Sequence, residues 1–164
     1  MVTPSRWRAG RIWGTAAVLA AALSPPAQAL PIDFSDKVEN ALLCRSEWST
    51  AYWQAYFDKA LQKPLRDWGE ARWWSAQGAQ LGGVSATELF INIGDGRALM
   101  IGALISQPIE QARPAIEARL RTSFKPIQAA DGTRYINDTL SVLAPTSDGQ
   151  TKWYCARWNL GNRP

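Results

Sequence analysis

The fold is decided by residues 87–106, which read TELFINIGDGRALMIGALIS. Positions 87–93 alternate as in a β-strand, with one side formed by Thr87, Leu89, Ile91 and Ile93 and the other by Glu88, Phe90 and Asn92. Gly94, Asp95 and Gly96 then offer a tight turn, and residues 97–106 are apolar and rich in β-formers. This stretch predicts an antiparallel hairpin with a well-buried second strand.

The chain beyond this hairpin predicts a helix and a second hairpin. Residues 106–124 have a helical stripe, and Pro114 within it indicates a kink or a later start of the helix. Two further strands are predicted over 134–143 and 150–159, joined by a turn at 145–149.

Two helices are predicted before the central hairpin. The first follows Asp33 or Ser35, either of which suits an N-cap, and the second spans 48–61 and ends before Pro64. Residues 65–83 crowd tryptophans among glycines and charges without a sustained period, so we expect a loop and one short strand there.

The resulting order, α-α-(β)-β-β-α-β-β, predicts an α+β domain of two layers. We expect an antiparallel sheet of about four to five strands with helices on one face. Residues 30–164 are enough for a single globular domain.

Residues 1–29 have the pattern of a cleaved signal peptide. Arg6, Arg8 and Arg11 give a positive start, residues 12–23 are apolar, and Ala27-Gln28-Ala29 is a small-x-small cleavage site. The apolar stretch is shorter than the roughly 20 residues of a bilayer-spanning helix, and no longer one follows. The sequence therefore predicts export to the periplasm or the medium, with no membrane span after cleavage.

The predicted signal peptide, or leader, also accounts for most of the net positive charge of the chain. The whole sequence has 18 basic and 14 acidic residues and a net charge of +4, but three of the basic and none of the acidic residues lie in 1–29. The remainder therefore carries 15 basic and 14 acidic residues, a net charge of +1, without any block of like charge. This distribution argues against nucleic acid as a partner.

Cys44 and Cys155 are the only cysteines in the sequence. An even count in an oxidising compartment predicts that they form a disulfide, which would tie the first helix to the last strand. The alternative of a reactive thiol lacks an activating histidine or a Cys-x-x-Cys neighbour.

The sequence contains no histidine, which excludes Ser-His-Asp and Cys-His catalysis and removes a usual zinc ligand. We expect neither a metal nor another cofactor. A carboxylate-dependent glycosidase or lytic enzyme does not need histidine, and the carboxylates considered for it are Glu47, Asp58, Glu70, Glu88, Asp95 and Asp148.

Tryptophan supplies the candidate binding residues. Neighbours in a strand face opposite ways, so we expect at least one of Trp73 and Trp74 to be exposed, and likewise one of Trp153 and Trp158. Exposed tryptophan beside arginine is typical of protein-binding hot spots. The two predicted hairpin turns add polar residues to the set of candidates. The candidate partner-binding residues are Trp73, Trp74, Asp95, Arg97, Asp148, Trp153, Arg157 and Trp158.

Together these features predict an exported, non-catalytic binding protein. Its partner would be a protein of the cell envelope or the medium, and the chain would act as an inhibitor, immunity or adaptor protein. Two alternatives remain: a glycan or small-ligand binding module that uses exposed tryptophans, and the carboxylate-dependent hydrolase. The sequence leaves the oligomeric state open.

Overall fold

The computed structural model describes residues 29–46, 49–94, 98–130 and 132–158, with only the backbone described at Ala98, Leu99 and Trp158. The predicted signal peptide, except for its last residue, lies outside these ranges. Asp95 and Arg97, two of the candidate binding residues, also lie outside them.

Three helices are present in the described residues: α1 (Phe34–Leu42), α2 (Thr50–Leu61) and α3 (Ile109–Leu120). They confirm the three helical segments expected from the sequence. Ser49 caps α2, because its hydroxyl accepts a hydrogen bond from the Tyr52 N–H at 3.1 Å. α3 starts three residues later than the predicted segment and continues through Pro114.

The described strands number nine, and every pairing between them is antiparallel. They are β1 (Arg66–Trp68), β2 (Ala71–Ser75), β3 (Gln80–Leu81), β4 (Val84–Asn92), β5 (Ala98–Ile105), β6 (Lys125–Ala129), β7 (Gly132–Ile136), β8 (Ser141–Pro145) and β9 (Thr151–Trp158). The sheet order is β1-β2-β4-β5-β9-β8-β7-β6, and β3 pairs with β4 beside this path.

The predicted class, α+β with an antiparallel sheet, is confirmed, but the expected four to five strands were too few. Residues 65–83 form three strands, of which β1 has three residues and β3 has two. Strands this short show no sequence period, and they are held by pairing with β2 and β4.

The segment predicted as one strand over 134–143 is two strands separated by a turn. Asn137 is buried there, and its side-chain oxygen accepts hydrogen bonds from the N–H groups of Thr139 and Ser141. Leu140 completes the turn with a φ of 68°. The side chain of Asn137 thus satisfies backbone donors that a continuous strand would have paired with a neighbour.

All three helices pack on one side of the sheet, as the sequence predicted. Their buried residues form one apolar core with Trp74, Leu89, Ile91, Ile101, Ala103, Leu143 and Trp153 of the strands. We call this side the helix side. The strand residues between them face the other way, where a smaller cluster is centred on Ala71, Trp73 and Phe90.

The predicted disulfide is present and joins Cys44, just after α1, to Cys155 in β9. The two Cα atoms lie 5.3 Å apart across a sequence separation of 111 residues. Both cysteines are buried in the core of the helix side. A buried disulfide fits an oxidising compartment outside the cytosol.

Among the described helices, none combines the length and the apolar character that crossing a bilayer requires.

Candidate functional site

Trp73 and Trp74 point to opposite sides of the sheet, as their adjacency predicts, but the expectation that one of them is exposed is wrong. Trp74 is sealed beneath α2, where it packs on the Phe57 ring at 5.2 Å and its indole N–H donates to Asp58 at 3.0 Å. Trp73, on the other side, is only 4% exposed. Its indole N–H donates to the backbone oxygen of Trp68 at 3.0 Å.

Trp153 is also fully buried, so this candidate lies in the core. Its indole N–H donates to the hydroxyl of Ser141 at 2.8 Å. The side chain of Trp158 lies outside the described part of the chain, and Arg157 is exposed near the end of β9. The exposed tryptophan of the described residues is Trp68, which is 67% exposed and which the sequence did not single out.

Of the two turns favoured by the sequence, the structure describes the one that contains Asp148. This residue is exposed in the turn before β9, whereas Asp95 and Arg97 lie outside the described ranges. β5 and β9 pair along their whole length, so Asp148 lies near the end of the sheet where β5 finishes and β9 begins.

The structure instead brings together a surface that sequence reasoning missed, on the side of the sheet that none of the described helices covers. We call it the open face; the strand registers place on it Arg66, Trp68, Trp73, Glu88, Phe90, Met100, Leu104, Arg134, Lys152 and Tyr154. These residues come from six strands: β1, β2, β4, β5, β9 and β7. Together with β8, which lies between β9 and β7, the open face spans seven adjacent strands. The alternation of side chains along β4 and β9 assigns these residues to the two sides of the sheet. It does not indicate which side the helices cover.

Two aromatic rings form the floor of the open face. Trp73 packs against Phe90 with the ring centroids 4.5 Å apart, and Trp68 packs on Trp73 at 5.9 Å. The Phe90 ring lies directly over Gly102, where an added Cβ would come within 2.0 Å of the ring. Glycine at this position therefore allows the ring to lie flat on the sheet.

Cations cover these rings. The Arg66 guanidinium lies 5.0 Å from the centroid of the Trp73 ring. It also forms a bidentate ion pair with the Glu88 carboxylate, with N–O distances of 2.8 and 2.6 Å. The Lys152 ammonium lies 4.8 Å from the Phe90 centroid and 5.6 Å from that of Tyr154. Such contacts place positive charge on an aromatic surface.

The surroundings of Lys152 on the open face destabilise its ammonium form. Burial lowers its pKa below the ordinary value of 10.5, and the positive charge of Arg134 lowers the pKa further. Arg134 also donates to the Tyr154 hydroxyl at 3.4 Å. An ammonium that is partly desolvated beside another cation favours contact with a carboxylate.

Two of the candidate catalytic carboxylates already have partners: Asp58 accepts from Trp74, and Glu88 is paired with Arg66. Glu70 and Asp148 are exposed, and Glu47 and Asp95 lie outside the described residues. Across those described ranges no group of three or more acidic or cysteine side chains is arranged to hold a metal ion.

Comparison with known proteins finds no family model, no curated protein and no solved structure that matches this chain. The case for any function therefore rests on the geometry of the chain itself.

Proposed function

We propose that this protein is an exported, non-catalytic binding protein whose open face engages an acidic surface of a partner protein. The observation that carries the proposal is the layered arrangement of Trp68, Arg66 and Lys152 over the buried rings of Trp73 and Phe90. Tryptophan, tyrosine and arginine are the residues that most often dominate protein interfaces.

The dimensions of the open face favour a macromolecule over a small ligand. Seven adjacent strands at about 4.8 Å spacing span roughly 29 Å. A standard protein interface covers about 800 Å² on each partner, which a surface of this width can supply. The exposed Trp68 indole would be an anchor near one edge, and Tyr154 would contribute near the centre.

Charge favours an acidic partner. Arg66, Arg134 and Lys152 contribute three positive charges, and Glu88 is the one carboxylate among the open-face residues named above. A partner carboxylate near Lys152 would offset the cost of its burial, since the opposite charge favours the ammonium form. Complementary charge would also accelerate association and make it sensitive to salt.

We propose that the protein is exported, either to the periplasm or to the extracellular medium. The pattern of residues 1–29 supports it, and the Cys44–Cys155 disulfide is consistent with it. Mass spectrometry of the exported protein should find an N-terminus at Leu30 and no free thiol. Recovery of a full-length, reduced chain from the cytosol would contradict this part of the proposal.

The binding proposal is tested by affinity capture on the full chain after expression and export through its own leader. Capture from envelope extract or medium should retain a protein whose binding weakens as salt is raised. Trp68→Ala and Lys152→Gln should each weaken binding about thirtyfold, which corresponds to the roughly 2 kcal/mol that marks a hot spot. The exposed Lys63, in the loop after α2, provides the matched control, and Lys63→Gln should leave retention unchanged.

Two outcomes would overturn the proposal. One is retention of peptidoglycan without any protein, which would move the protein to the glycan-binding class. The other is retention of a protein that resists both Trp68→Ala and Lys152→Gln, because the open face would then not be the contact. Asp148→Ala and Arg157→Ala sharpen the assignment, since the open-face proposal expects smaller losses from them than from Trp68→Ala.

A further inference from the structure

Trp53 differs from the other buried tryptophans in its hydrogen bonding. The indole N–H groups of Trp73, Trp74 and Trp153 each have an acceptor within 3.0 Å. Trp53 is only 2% exposed, yet its indole nitrogen has no hydrogen-bond partner among the described residues. A buried donor without a partner is costly, and such groups call for an explanation.

The other atoms of this kind lie close to Trp53 in the chain. Over the described ranges, the buried side-chain polar atoms without a partner are the Trp53 indole nitrogen and the hydroxyl oxygens of Ser46, Thr50 and Tyr56. All four belong to the connection after α1 or to the first two turns of α2. Four such atoms in one short stretch call for a common explanation, and a bound group that supplies the missing partners is one.

A cavity opens at this place. Its volume is about 320 Å³, and it is lined by Lys37, Asn40, Arg45, Ser46, Tyr52 and Trp53. Ligand pockets in proteins span about 300 to 1,000 Å³, so this cavity is at the small end of the range and suits a ligand with a single ring.

The chemistry of the lining favours an anion. The Trp53 indole can only donate, and Lys37 and Arg45 are cations, whereas the described lining contains no carboxylate. The nearest acidic partner of Lys37 is Asp33, which forms an exposed ion pair with it at 2.7 Å. The first turn of α2, which contains Thr50 and Trp53, has no acidic residue, and its helix dipole adds to the preference for negative charge.

Aromatic rings provide the rest of the wall. Tyr52 is 50% exposed and meets the Trp53 ring edge-on, with centroids 5.3 Å apart and planes at 84°. It also stacks against Tyr56 at 6.3 Å with nearly parallel planes. An exposed tyrosine beside buried donors can hold the face of a ring while the donors bind a charged group attached to it.

We propose that the cleft between α1 and α2 binds a small carboxylate that carries one ring, with the carboxylate on the Trp53 N–H and the Arg45 guanidinium and the ring against Tyr52. The ring can be that of an acidic sugar or of an aromatic acid, since both present a carboxylate beside an apolar face. This site is separate from the open face and does not depend on a protein partner.

The indole N–H of Trp53 can be observed directly by ¹H–¹⁵N NMR on the full exported chain. Trp53→Phe identifies its signal as the indole peak that disappears. Titration with galacturonate and with benzoate should move this signal saturably for at least one acid, and the tighter binder tells which kind of ring is preferred. The indole signal of the exposed Trp68 is the internal control and should not move.

Two variants separate binding from folding. Arg45 is exposed, so Arg45→Gln should preserve the spectrum while weakening binding several-fold, and Trp53→Phe should weaken it about tenfold through loss of a donor to a charged acceptor. Lys125→Gln, on another part of the surface, should leave the affinity unchanged.

Neutral galactose should bind at least about tenfold more weakly than galacturonate if galacturonate is the preferred acid. The proposal is overturned if neither acid moves the Trp53 signal at about 10 mM, a concentration that reveals even weak sites. It is equally overturned if Arg45→Gln and Trp53→Phe, both folded, bind the acid as tightly as the unchanged chain in calorimetry, which does not need the indole signal that Trp53→Phe removes. Equal binding of galactose and galacturonate would also refute the role of the carboxylate.

Discussion

The two sides of the sheet bury neighbouring tryptophans in different ways. On the helix side, Trp74 is sealed by α2 through Phe57 and Asp58. On the open face, Trp73 is covered by strand neighbours and by the Arg66 guanidinium. A ring covered by a helix cannot contribute to a binding surface. A ring covered by a cation lies beneath a side chain that can still contact a partner. A ring with low exposure can therefore lie directly beneath a binding surface.

Removal of the disulfide, which joins the end of α1 to β9 on the helix side, should cause the largest loss of stability. Cys155→Ala should lower the free energy of unfolding by roughly 4–5 kcal/mol under oxidising conditions, because a closed loop of this length restricts the unfolded chain. Urea unfolding with and without reductant measures the loss. Under reducing conditions the variant and the unchanged chain should differ little, and an equal loss in both conditions would assign the effect to packing.

Trp153→Ala should be the next largest change. It removes a fully buried ring and leaves the hydroxyl of Ser141 without its donor. We expect a loss of about 3–5 kcal/mol, measured by urea unfolding. Trp68→Ala is the matched control on the open face and should cost under about 1 kcal/mol, because that ring is mostly exposed. Similar losses for the two variants would contradict the contrast between the sides.

The sequence predicted the helix side better than the open face. Residues that recur at helical spacing identified α1, and alternation with a turn identified the β4–β5 hairpin, because these signals are local. β1 and β3 have three and two residues and depend on partners, so residues 65–83 could not be assigned correctly. The central β5–β9 pairing joins segments about fifty residues apart, and no local pattern specifies it.

The candidate site was harder to predict for a related physical reason. Alternation assigned Trp73 and Trp74 to opposite sides, but their exposure depends on what covers each side. Arg66 and Lys152 showed no pattern of their own, because their roles arise from contacts across β2, β4 and β9. Only pairing in the folded sheet brings these cations over the rings.

Gly102→Ala should have an intermediate effect confined to the open face. The new methyl group would collide with the Phe90 ring, which must then tilt away from the sheet and disturb its contact with Lys152. We expect a loss of about 1–3 kcal/mol in urea unfolding, the usual cost of overpacking. The double variant Gly102→Ala with Phe90→Leu should recover part of this loss. No recovery would mean that the strand backbone, and not the ring, opposes the methyl group.

Lys152 predicts a smaller effect that depends on pH. Since burial and Arg134 lower its pKa below 10.5, the folded chain binds this proton less tightly than the unfolded chain. Its burial therefore costs stability at neutral pH, and that cost is relieved as the pH rises from the lowered pKa toward 10.5. Relative to Lys152→Met, the unchanged chain should gain stability across this window in urea unfolding. A difference that is constant with pH would contradict the assignment.

The smallest expected change in stability is that of Glu88→Gln, and it tests the open face most selectively. The Arg66–Glu88 pair is partly exposed, so its loss should cost less than about 1 kcal/mol in urea unfolding. The same change removes the carboxylate from the open face and frees Arg66 for a partner. If that partner is acidic, its affinity should rise several-fold at low salt, as measured by calorimetry, and the gain should shrink as salt is added. A loss of affinity would instead mean that the partner presents a basic group to Glu88, because the same substitution would then delete an attraction.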